Sequence, residues 1–270
     1  MGREWGPPVD AEVPAELRQE RIADLVADSG FERVAELATR FQVSTVTIRS
    51  DLQALERRGR LRRIRGGAVP ASVVPGEQPF EASELTSARE KAHIGLHGAR
   101  MVASGETVLL DVGSTTTAVA RALIAREELT DVTVFTPALN VALELEAAYP
   151  RVTVIVTGGT VRPLQHSLVN PLATVLLERL RASIAFIGCN GVDVHGGITN
   201  INLPEAEVKR AMLLAARRRV IVADGSKLGE IELAQVCALN EVSTVVTDET
   251  ADPAVVSEIE AAGVSVEIAR

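Results

Sequence analysis

The chain has 270 residues, 46% of them hydrophobic and 24% charged, and a net charge of −8. This length and balance are typical of a globular protein with one small and one medium domain, and they exclude a disordered or fibrous chain. No apolar run approaches the roughly 18 residues that a membrane-spanning helix requires. Because the start of the chain also lacks a secretory signal, we expect a cytoplasmic protein without a membrane partner.

The two cysteines, Cys189 and Cys237, are too few for a disulfide framework and lack the spacing of a metal site. His93 and His97 could share a helix face, but one such pair is more often a surface coincidence than a metal site. We therefore predict neither a metal nor a cofactor, and we expect both thiols to be buried.

The negative net charge argues against nucleic acid as a partner, because a DNA-binding surface must be cationic. Its distribution along the chain reverses that argument. Residues 37–70 contain eight arginines against Asp51 and Glu56, whereas residues 71–270 contain 16 basic and 25 acidic side chains. A basic segment joined to an acidic body is typical of a DNA reader with a separate regulatory domain.

The first part of the chain has the periodicity of short helices. Residues 15–28 and 33–41 carry apolar side chains at helical spacing, and a third helix follows Ser44 or Thr45, either of which can be its N-cap. The apolar residues of this third helix, expected to point inward, are Val46, Ile48, Leu52 and Leu55. The pattern predicts a helix-turn-helix, and the sequence RLRRIRGGAV that follows predicts a two-stranded wing.

The pattern changes beyond residue 70. Residues 71–87 are proline-rich and weakly periodic, which indicates a linker. After them come seven short β-branched runs with helical patterns between them: TVLLDV, VTVF, VTVIVTGG, IAFIGC, VIVADG, VSTVVTD and VSVEI. Such strands predict an α/β domain with a parallel sheet covered on both faces. We divide the chain into an N-terminal extension (1–14), a winged helix-turn-helix domain (15–70), the linker and an α/β domain (88–270).

Motifs in both domains resemble those of DeoR-family transcriptional regulators, over nearly the whole chain from Glu16 onward. They are RIADLVADSGFERVAELATRFQVSTVTIRSDLQALERRGRLRRIRGGA, LLDVGSTTT, VTGG, FIGCNGVD, GGITNINLPEAEVKRAM and ADGSKLG. The resemblance implies a sensor domain similar to the sugar-phosphate isomerase and CoA-transferase fold, which binds phosphorylated sugars or related metabolites and controls DNA affinity. Two positions depart from the family pattern: Ser50 stands where a second basic residue is usual, and Arg65 where the wing often has His.

A recognition helix presents its N-terminal turns to base edges in the major groove. The corresponding side chains here are Ser44, Thr45, Thr47, Arg49 and Ser50. We predict that Arg49 contacts guanine; the alternative is a salt bridge to Asp51 or Glu56. The wing arginines, expected to contact phosphates or the minor groove, are Arg60, Arg62, Arg63 and Arg65.

A ligand site is predicted where strands of the second domain end, because ligands of open α/β sheets bind at the carboxyl ends of strands. One loop follows a buried strand and opens a helix, and its Gly, hydroxyls and free N–H groups suit a phosphate: Asp111, Gly113, Ser114, Thr115, Thr116 and Thr117. The alternative role for its hydroxyls is helix capping. Polar groups after other strands, expected to bind the same ligand, are Gly158, Gly159, Asn190, Asp193, Asp224 and Lys227. The family resemblance adds Glu205 and Lys209.

Two other functions are compatible with these patterns. One is a sugar-phosphate isomerase-like enzyme fused to a DNA-binding domain, with Asp193 or Glu207 as general base; the other is a constitutive DNA binder. We favour a non-enzymatic regulator whose partners are double-stranded operator DNA and a phosphorylated sugar or related metabolite. We also expect a homo-oligomer, a dimer or tetramer, because palindromic operators mirror protein symmetry.

Overall fold

The computed structural model describes residues 14–71 and 77–270. The predicted N-terminal extension therefore lies outside the described residues except for Pro14, as do residues 72–76 of the predicted linker. The chain divides into two compact units between Ala82 and Ser83. Within the described residues, no helix has the length and apolar character needed to cross a membrane.

The N-terminal unit contains a helix-turn-helix followed by a wing. Its elements are α1 (Ala15–Ser29), β1 (Glu32–Arg33), α2 (Val34–Arg40), α3 (Thr45–Arg57), β2 (Leu61–Ile64) and β3 (Gly67–Pro70). The strands form an antiparallel sheet in the order β1-β3-β2. The two-residue turn between β2 and β3 uses Gly66 at φ +87°, a conformation that glycine adopts without strain. The predicted helices and wing are thus confirmed, with β1 added.

A single apolar core holds the three helices together. Ile22 and Val26 of α1, Leu37 of α2, and Ile48 and Leu52 of α3 are fully or almost fully buried in it. The two residues named in α1, and the two named in α3, are four positions apart, which is a spacing that places them on one face of the helix.

Val46 does not belong to this core. We expected it to point inward with Ile48, but 71% of its surface is exposed. Two residues along a helix turn a side chain by about 200°, so Val46 and Ile48 cannot share a face. The expectation was wrong because it counted apolar residues without applying the helical period.

The C-terminal unit is an α/β structure whose twelve described strands are distributed over three sheets. Its elements, the first of which spans the division between the units, are α4 (Phe80–Leu85), α5 (Ala88–Arg100), β4 (Thr107–Leu110), α6 (Ser114–Ile124), β5 (Val132–Thr136), α7 (Leu139–Leu145), β6 (Val152–Val156), β7 (Thr160–Arg162), β8 (Ser167–Val169), α8 (Leu172–Leu177), β9 (Ala182–Gly188), β10 (Gly191–Asp193), β11 (Gly197–Asn200), α9 (Leu203–Ala215), β12 (Ala216–Val222), β13 (Ala234–Cys237), β14 (Thr244–Asp248), α10 (Pro253–Ala261) and β15 (Ser265–Ala269).

The seven predicted strands form one parallel sheet in the order β15-β14-β12-β9-β4-β5-β6. Successive residues of a central strand enter different apolar cores: Leu109 packs on one face of the sheet, and Val108 and Leu110 pack on the other. Because side chains alternate across a strand, both faces of the sheet are buried, as the continuous apolar runs predicted.

The direction of the chain through the sheet reverses beside β4. From β4 the chain proceeds outward to β5 and β6, and it then returns to place β9 on the other side of β4. Adjacent strands whose connections leave in opposite directions open a crevice at their carboxyl ends, the usual ligand position in such sheets. The remaining strands form two small antiparallel sheets, β10-β11-β13 and β7-β8.

Candidate nucleic-acid interface and ligand site

The recognition helix α3 begins at Ser44, which is its N-cap. The Ser44 Oγ accepts a hydrogen bond from the backbone N–H of Thr47 at 3.0 Å and lies 2.9 Å from the Thr47 Oγ1. Thr45, Arg49 and Ser50 are exposed, while Thr47 is partly buried. Of the predicted DNA-reading hydroxyls, those of Ser44 and Thr47 therefore also stabilise the helix start.

Arg49 has an exposed side chain with no hydrogen bond or ion pair to any residue that the structure describes. The alternative partners considered for it are engaged elsewhere. Asp51 is buried against Arg18, and Glu56 accepts a hydrogen bond from the Arg63 backbone N–H at 2.7 Å. The Arg49 guanidinium is thus available for an external partner.

The wing presents a second group of arginines. Arg60, Arg63 and Arg65 are exposed, whereas Arg62 is partly buried. The Arg63 guanidinium lies 4.0 Å from the Glu56 carboxylate, a loose surface pair of the kind that contributes little stability. These side chains suit contact with phosphates, which carries affinity but no sequence information.

Val46 is a DNA-facing candidate that the sequence reasoning missed. It lies in the first turn of α3 between Thr45 and Thr47 and is largely exposed. An apolar side chain at that place can contact the methyl group of thymine in the major groove. The signal in the sequence was the helical period, which turns Val46 about 200° away from the core residue Ile48.

A buried polar cluster sets the position of α3 against α1. The Arg18 Nε donates to Asp51 Oδ2 at 2.7 Å, and the Gln19 Nε2 donates to Asp51 Oδ1 at 2.8 Å. Arg58 adds a hydrogen bond to Gln19 at 3.3 Å. Asp51 therefore serves to orient the recognition helix, while Arg49 two residues earlier faces outward.

In the C-terminal unit, polar groups converge where the neighbouring strands β4, β9 and β12 end. Asp111 follows β4 and is fully buried. Lys209 of α9, also buried, donates to Asp111 Oδ2 at 2.5 Å and to the Gly188 carbonyl at 3.1 Å. The Gly188 N–H donates to the same Oδ2 at 3.1 Å. The Asp111–Lys209 pair thus bridges β4 and β9 at the reversal of the sheet.

One acceptor of this pair is left over. The Asp111 Oδ1 is buried and has no hydrogen-bond partner among the described residues. A buried carboxylate oxygen without a hydrogen bond destabilises the folded protein. A hydrogen bond from a ligand hydroxyl or an ordered water would stabilise this atom.

Burial and the opposite charge of the partner both shift the pKa values of Asp111 and Lys209. Burial raises the pKa of the Asp111 carboxyl, and the facing Lys209 ammonium offsets this only in part. Burial opposes the charge of Lys209, but Asp111 and Glu205 outweigh it and raise the pKa of that ammonium. Lys209 therefore remains a cation at the carboxyl edge of the sheet.

The start of α6 adds free donors beside Asp111. The Thr116 and Thr117 hydroxyls both donate to the Gly113 carbonyl at 2.8 Å, so these two threonines have the capping role that was the alternative to ligand binding. The hydroxyls of Ser114 and Thr115 have no intramolecular partner in the described part of the chain. Together with the unpaired N–H groups of the first helical turn, they suit an anion.

The end of β12 contributes Asp224 and Lys227. Asp224 is buried and accepts hydrogen bonds from the Ser226 N–H and hydroxyl. Lys227 is partly exposed and has no ion pair within the described residues. Both groups act electrostatically on Cys189, which follows β9, and burial raises the pKa of that thiol to about 12. Cys189 is therefore a protonated, unreactive member of the cluster. The expectation that both thiols are buried is confirmed for Cys237, whereas Cys189 is only partly buried.

Glu205 and Asn190 border this cluster and support it. The Glu205 carboxylate accepts from the Ser167 hydroxyl at 2.7 Å and from the Arg162 guanidinium. It lies one turn before Lys209 on the same buried face of α9. Asn190 accepts the Ile201 N–H at 3.1 Å, which holds the segment that leads into α9.

Three predicted site residues lie apart from the cluster. Gly158 and Gly159 follow β6, two strands away from β4 in the sheet. A Cβ on Gly159 would lie 2.1 Å from the Val169 carbonyl oxygen, so the close approach of two backbone segments requires this glycine. Asp193 caps the β10–β11 turn, accepting the N–H groups of His195 and Gly196 at 2.7 Å, and these hydrogen bonds lower its pKa.

The candidates for a general base are likewise engaged outside the cluster. Asp193 is held in its turn, and Glu207 is exposed and accepts a hydrogen bond from the Asn170 amide. Within the described residues, no group of three His, Cys, Asp or Glu side chains could hold a metal ion.

Both halves of the chain match known domain models. Residues 18–73 match the DeoR-like helix-turn-helix domain, and residues 86–249 match the DeoR C terminal sensor domain. The HTH-type transcriptional regulator GlpR of Haloferax volcanii is 38% identical over 94% of this chain and 97% of that protein. GolR of Listeria innocua is 31% identical over 94% and 98%, and the glycerol-3-phosphate regulon repressor of Escherichia coli is 30% identical over 86% and 90%.

Among solved structures, ribose 5-phosphate isomerase A of Methanocaldococcus jannaschii is 18% identical, covers 53% of this chain and 55% of that chain, and has a TM-score of 0.40. That score is too low to support a conclusion about function. The fold, the basic segment 37–70 and the matches define a DNA-binding transcriptional regulator with a sensor domain, and not an enzyme. The chain belongs to the DeoR family.

Proposed function

We propose that this regulator represses genes of carbohydrate metabolism and that a phosphorylated, sugar-like effector controls its affinity for operator DNA. The observation that carries the proposal is the convergence of anion donors and a hydroxyl acceptor at one sheet edge. The start of α6 and the Lys227 ammonium suit a phosphate, while the unpartnered Asp111 Oδ1 suits a hydroxyl donor. Phosphorylated sugars and polyols carry both groups, and we propose an effector of this class.

The relatives support the regulatory part of this proposal. One is named a glycerol-3-phosphate regulon repressor and another a putative aga operon transcriptional repressor. We assign DNA binding to residues 15–70 and effector binding to residues 88–270, with residues 71–87 as the linker. Since its target is the chromosome, we place the protein in the cytoplasm.

We further propose that the protein acts as a homo-oligomer. The helices α8 and α9 pack against each other and expose the apolar side chains of Leu172, Val175 and Leu203. Contiguous exposed apolar surface marks sites of protein–protein contact. A two-fold arrangement would let paired recognition helices read a palindromic operator. Sedimentation analysis of the purified protein would test this, and a monomer at micromolar concentration would refute it.

Operator binding in the presence of candidate effectors tests the proposed function. Fluorescence anisotropy is measured with DNA from the upstream region of the gene, at fixed salt, with ribose 5-phosphate and glycerol 3-phosphate among a panel of sugar and polyol phosphates. We expect one compound to change the affinity tenfold or more, which is about 1.4 kcal/mol of coupling. Operator binding that no compound changes would refute effector control.

Two substitutions test whether the effector binds at the carboxyl edge of the sheet. Lys227→Gln should leave operator affinity unchanged without effector and weaken the response to effector. The matched control is Arg179→Gln, because Arg179 is an exposed cation that precedes β9 at the amino edge of the sheet. A response weakened equally by both substitutions would contradict a site at the carboxyl edge.

A further inference from the structure

Asn140 is a polar residue of the C-terminal unit that belongs to none of the sequence motifs described above. It lies in the first turn of α7, which follows β5, and it is partly buried. Its Nδ2 donates a hydrogen bond to the Thr117 Oγ1 at 3.1 Å. Because Thr117 lies in the first turn of α6, where the anion site is proposed, this hydrogen bond attaches Asn140 to that site.

The strand order of the large sheet places Asn140 at the same edge as Asp111. β5 runs parallel to β4, with Phe135 opposite Leu109, so both strands end at the carboxyl edge of the sheet. Asp111 follows β4 and Asn140 follows β5. The hydrogen bond of Asp111 with Gly188 lies on the β9 side of β4, whereas Asn140 lies on the β5 side. The two residues therefore flank the start of α6.

The hydrogen bonds of Thr117 determine how the Asn140 amide is oriented. The Thr117 hydroxyl donates its one hydrogen to the Gly113 carbonyl at 2.8 Å. Toward Asn140 it can therefore only accept a hydrogen bond, which assigns the NH₂ group of the amide to the side of Thr117. The Asn140 Oδ1 faces away from Thr117 and is left for another donor.

This oxygen has no donor within the described part of the chain. The Asn140 Oδ1 is buried and makes no hydrogen bond there, and the same holds for the Asp111 Oδ1. Buried acceptors without hydrogen bonds destabilise the folded protein. A ligand that donates to both oxygens would remove this cost, and hydroxyl groups are uncharged donors that can do so.

A structural role alone does not account for the Asn140 side chain. A hydrogen bond that ties α7 to α6 uses only the Nδ2 donor of the amide. The carboxamide oxygen adds nothing to that tie. It stands instead without a partner at the edge of the sheet where ligands of such folds bind.

We propose that Asn140 is a specificity-determining residue of the effector site, and that its Oδ1 accepts a hydrogen bond from a hydroxyl group of the effector. The inference rests on the proposed function and narrows it. With Asp111 as the second acceptor, the site selects a phosphorylated compound that has at least two free hydroxyls. An analogue with a carboxylate in place of the hydroxyl at Asn140 is rejected, because two facing acceptors share no hydrogen.

Side-chain NMR tests the contact directly, since the chain has six asparagines. Full-length protein with labelled asparagine is titrated with glycerol 3-phosphate, ribose 5-phosphate and inorganic phosphate, and the carboxamide carbon of Asn140 is assigned from its loss in Asn140→Ala. We expect the compound that changes operator affinity to shift this signal with the same midpoint. An active compound that leaves the signal unchanged would overturn the proposal. So would an equal shift with inorganic phosphate, because it would report the anion alone.

Substitution of Asn140 tests the specificity. Asn140→Ala leaves no new unpaired group, because the Thr117 hydroxyl keeps the Gly113 carbonyl as its partner. Operator affinity without effector should stay within about twofold, while the active compound should be needed at about tenfold or higher concentration for half of its effect. Deoxy analogues of that compound complete the test. The analogue that lacks the hydroxyl bound by Asn140 should act equally on the wild type and on Asn140→Ala.

The matched control is Asn240→Ala, because Asn240 is an exposed asparagine in the turn before β14, at the amino edge of the sheet. It should respond to the active compound as the wild type does. If Asn140→Ala also responds as the wild type does, this inference fails alone. If no phosphate compound changes the operator affinity of the wild type, the proposed function fails and this inference fails with it.

Discussion

Arg49 is the residue on which sequence-specific reading of the operator should depend most. It is exposed in the N-terminal half of α3 without an intramolecular partner among the described residues. A bidentate contact between arginine and guanine is worth about 1–3 kcal/mol. We therefore expect Arg49→Ala to weaken binding to the cognate operator by roughly 5- to 150-fold and to relax the preference at one base pair, as measured by anisotropy with a set of single-base operator variants.

The control for this substitution is Arg57→Ala. Arg57 is also exposed on α3 but lies in its last turn, away from the end that reads bases. It should alter binding to cognate and unrelated DNA by the same factor. Equal losses on both DNAs for Arg49→Ala would show that Arg49 contacts only the phosphate backbone.

At the scale of elements, the buried Asp51 links the recognition helix to α1 through Arg18 and Gln19. Removing one partner of a buried ion pair costs about 3–5 kcal/mol, because the other charge stays buried. For Asp51→Ala we expect the N-terminal unit to lose amide-exchange protection and DNA binding together, while exchange in the C-terminal unit remains unchanged.

Two further variants separate the ion pair from a general effect of mutation. Asp24→Ala, which removes an exposed carboxylate of α1, should change stability by no more than about 0.5 kcal/mol. Replacing both charges, Arg18→Met with Asp51→Leu, should recover part of the lost stability. A double variant as unstable as the sum of its single changes would argue against coupling of the two side chains.

At the scale of the whole molecule, the basic segment 37–70, which includes the recognition helix and the wing, predicts steeply salt-dependent DNA binding despite the acidic remainder of the chain. Each phosphate neutralised contributes about −0.9 to the slope of log K against log salt concentration. Arg65→Ala, at the tip of the wing, should reduce the steepness of that slope by about one on any DNA. Arg179→Ala should not change it. A slope unaffected by Arg65→Ala would remove the wing from the interface.

Much of the architecture was predictable because it is encoded locally. The seven strands of the large sheet and the helices of the DNA-binding unit follow from runs and periodicities of 4–15 residues. The strands β7, β8, β10, β11 and β13 were missed because each has at most four residues and, unlike the equally short β4, none contains three consecutive apolar residues. Polar loops after strands also predicted the edge of the sheet that carries the candidate site.

The sequence by itself therefore determined the domain types, the basic reading surface and the family. Only the tertiary structure decided which polar groups meet, because that depends on β9 returning beside β4. This strand order brings Lys209 to Asp111 across 98 residues of sequence and leaves Asp193 and Gly159 elsewhere. Such meetings depend on how strands and helices pack in three dimensions, which no local pattern records.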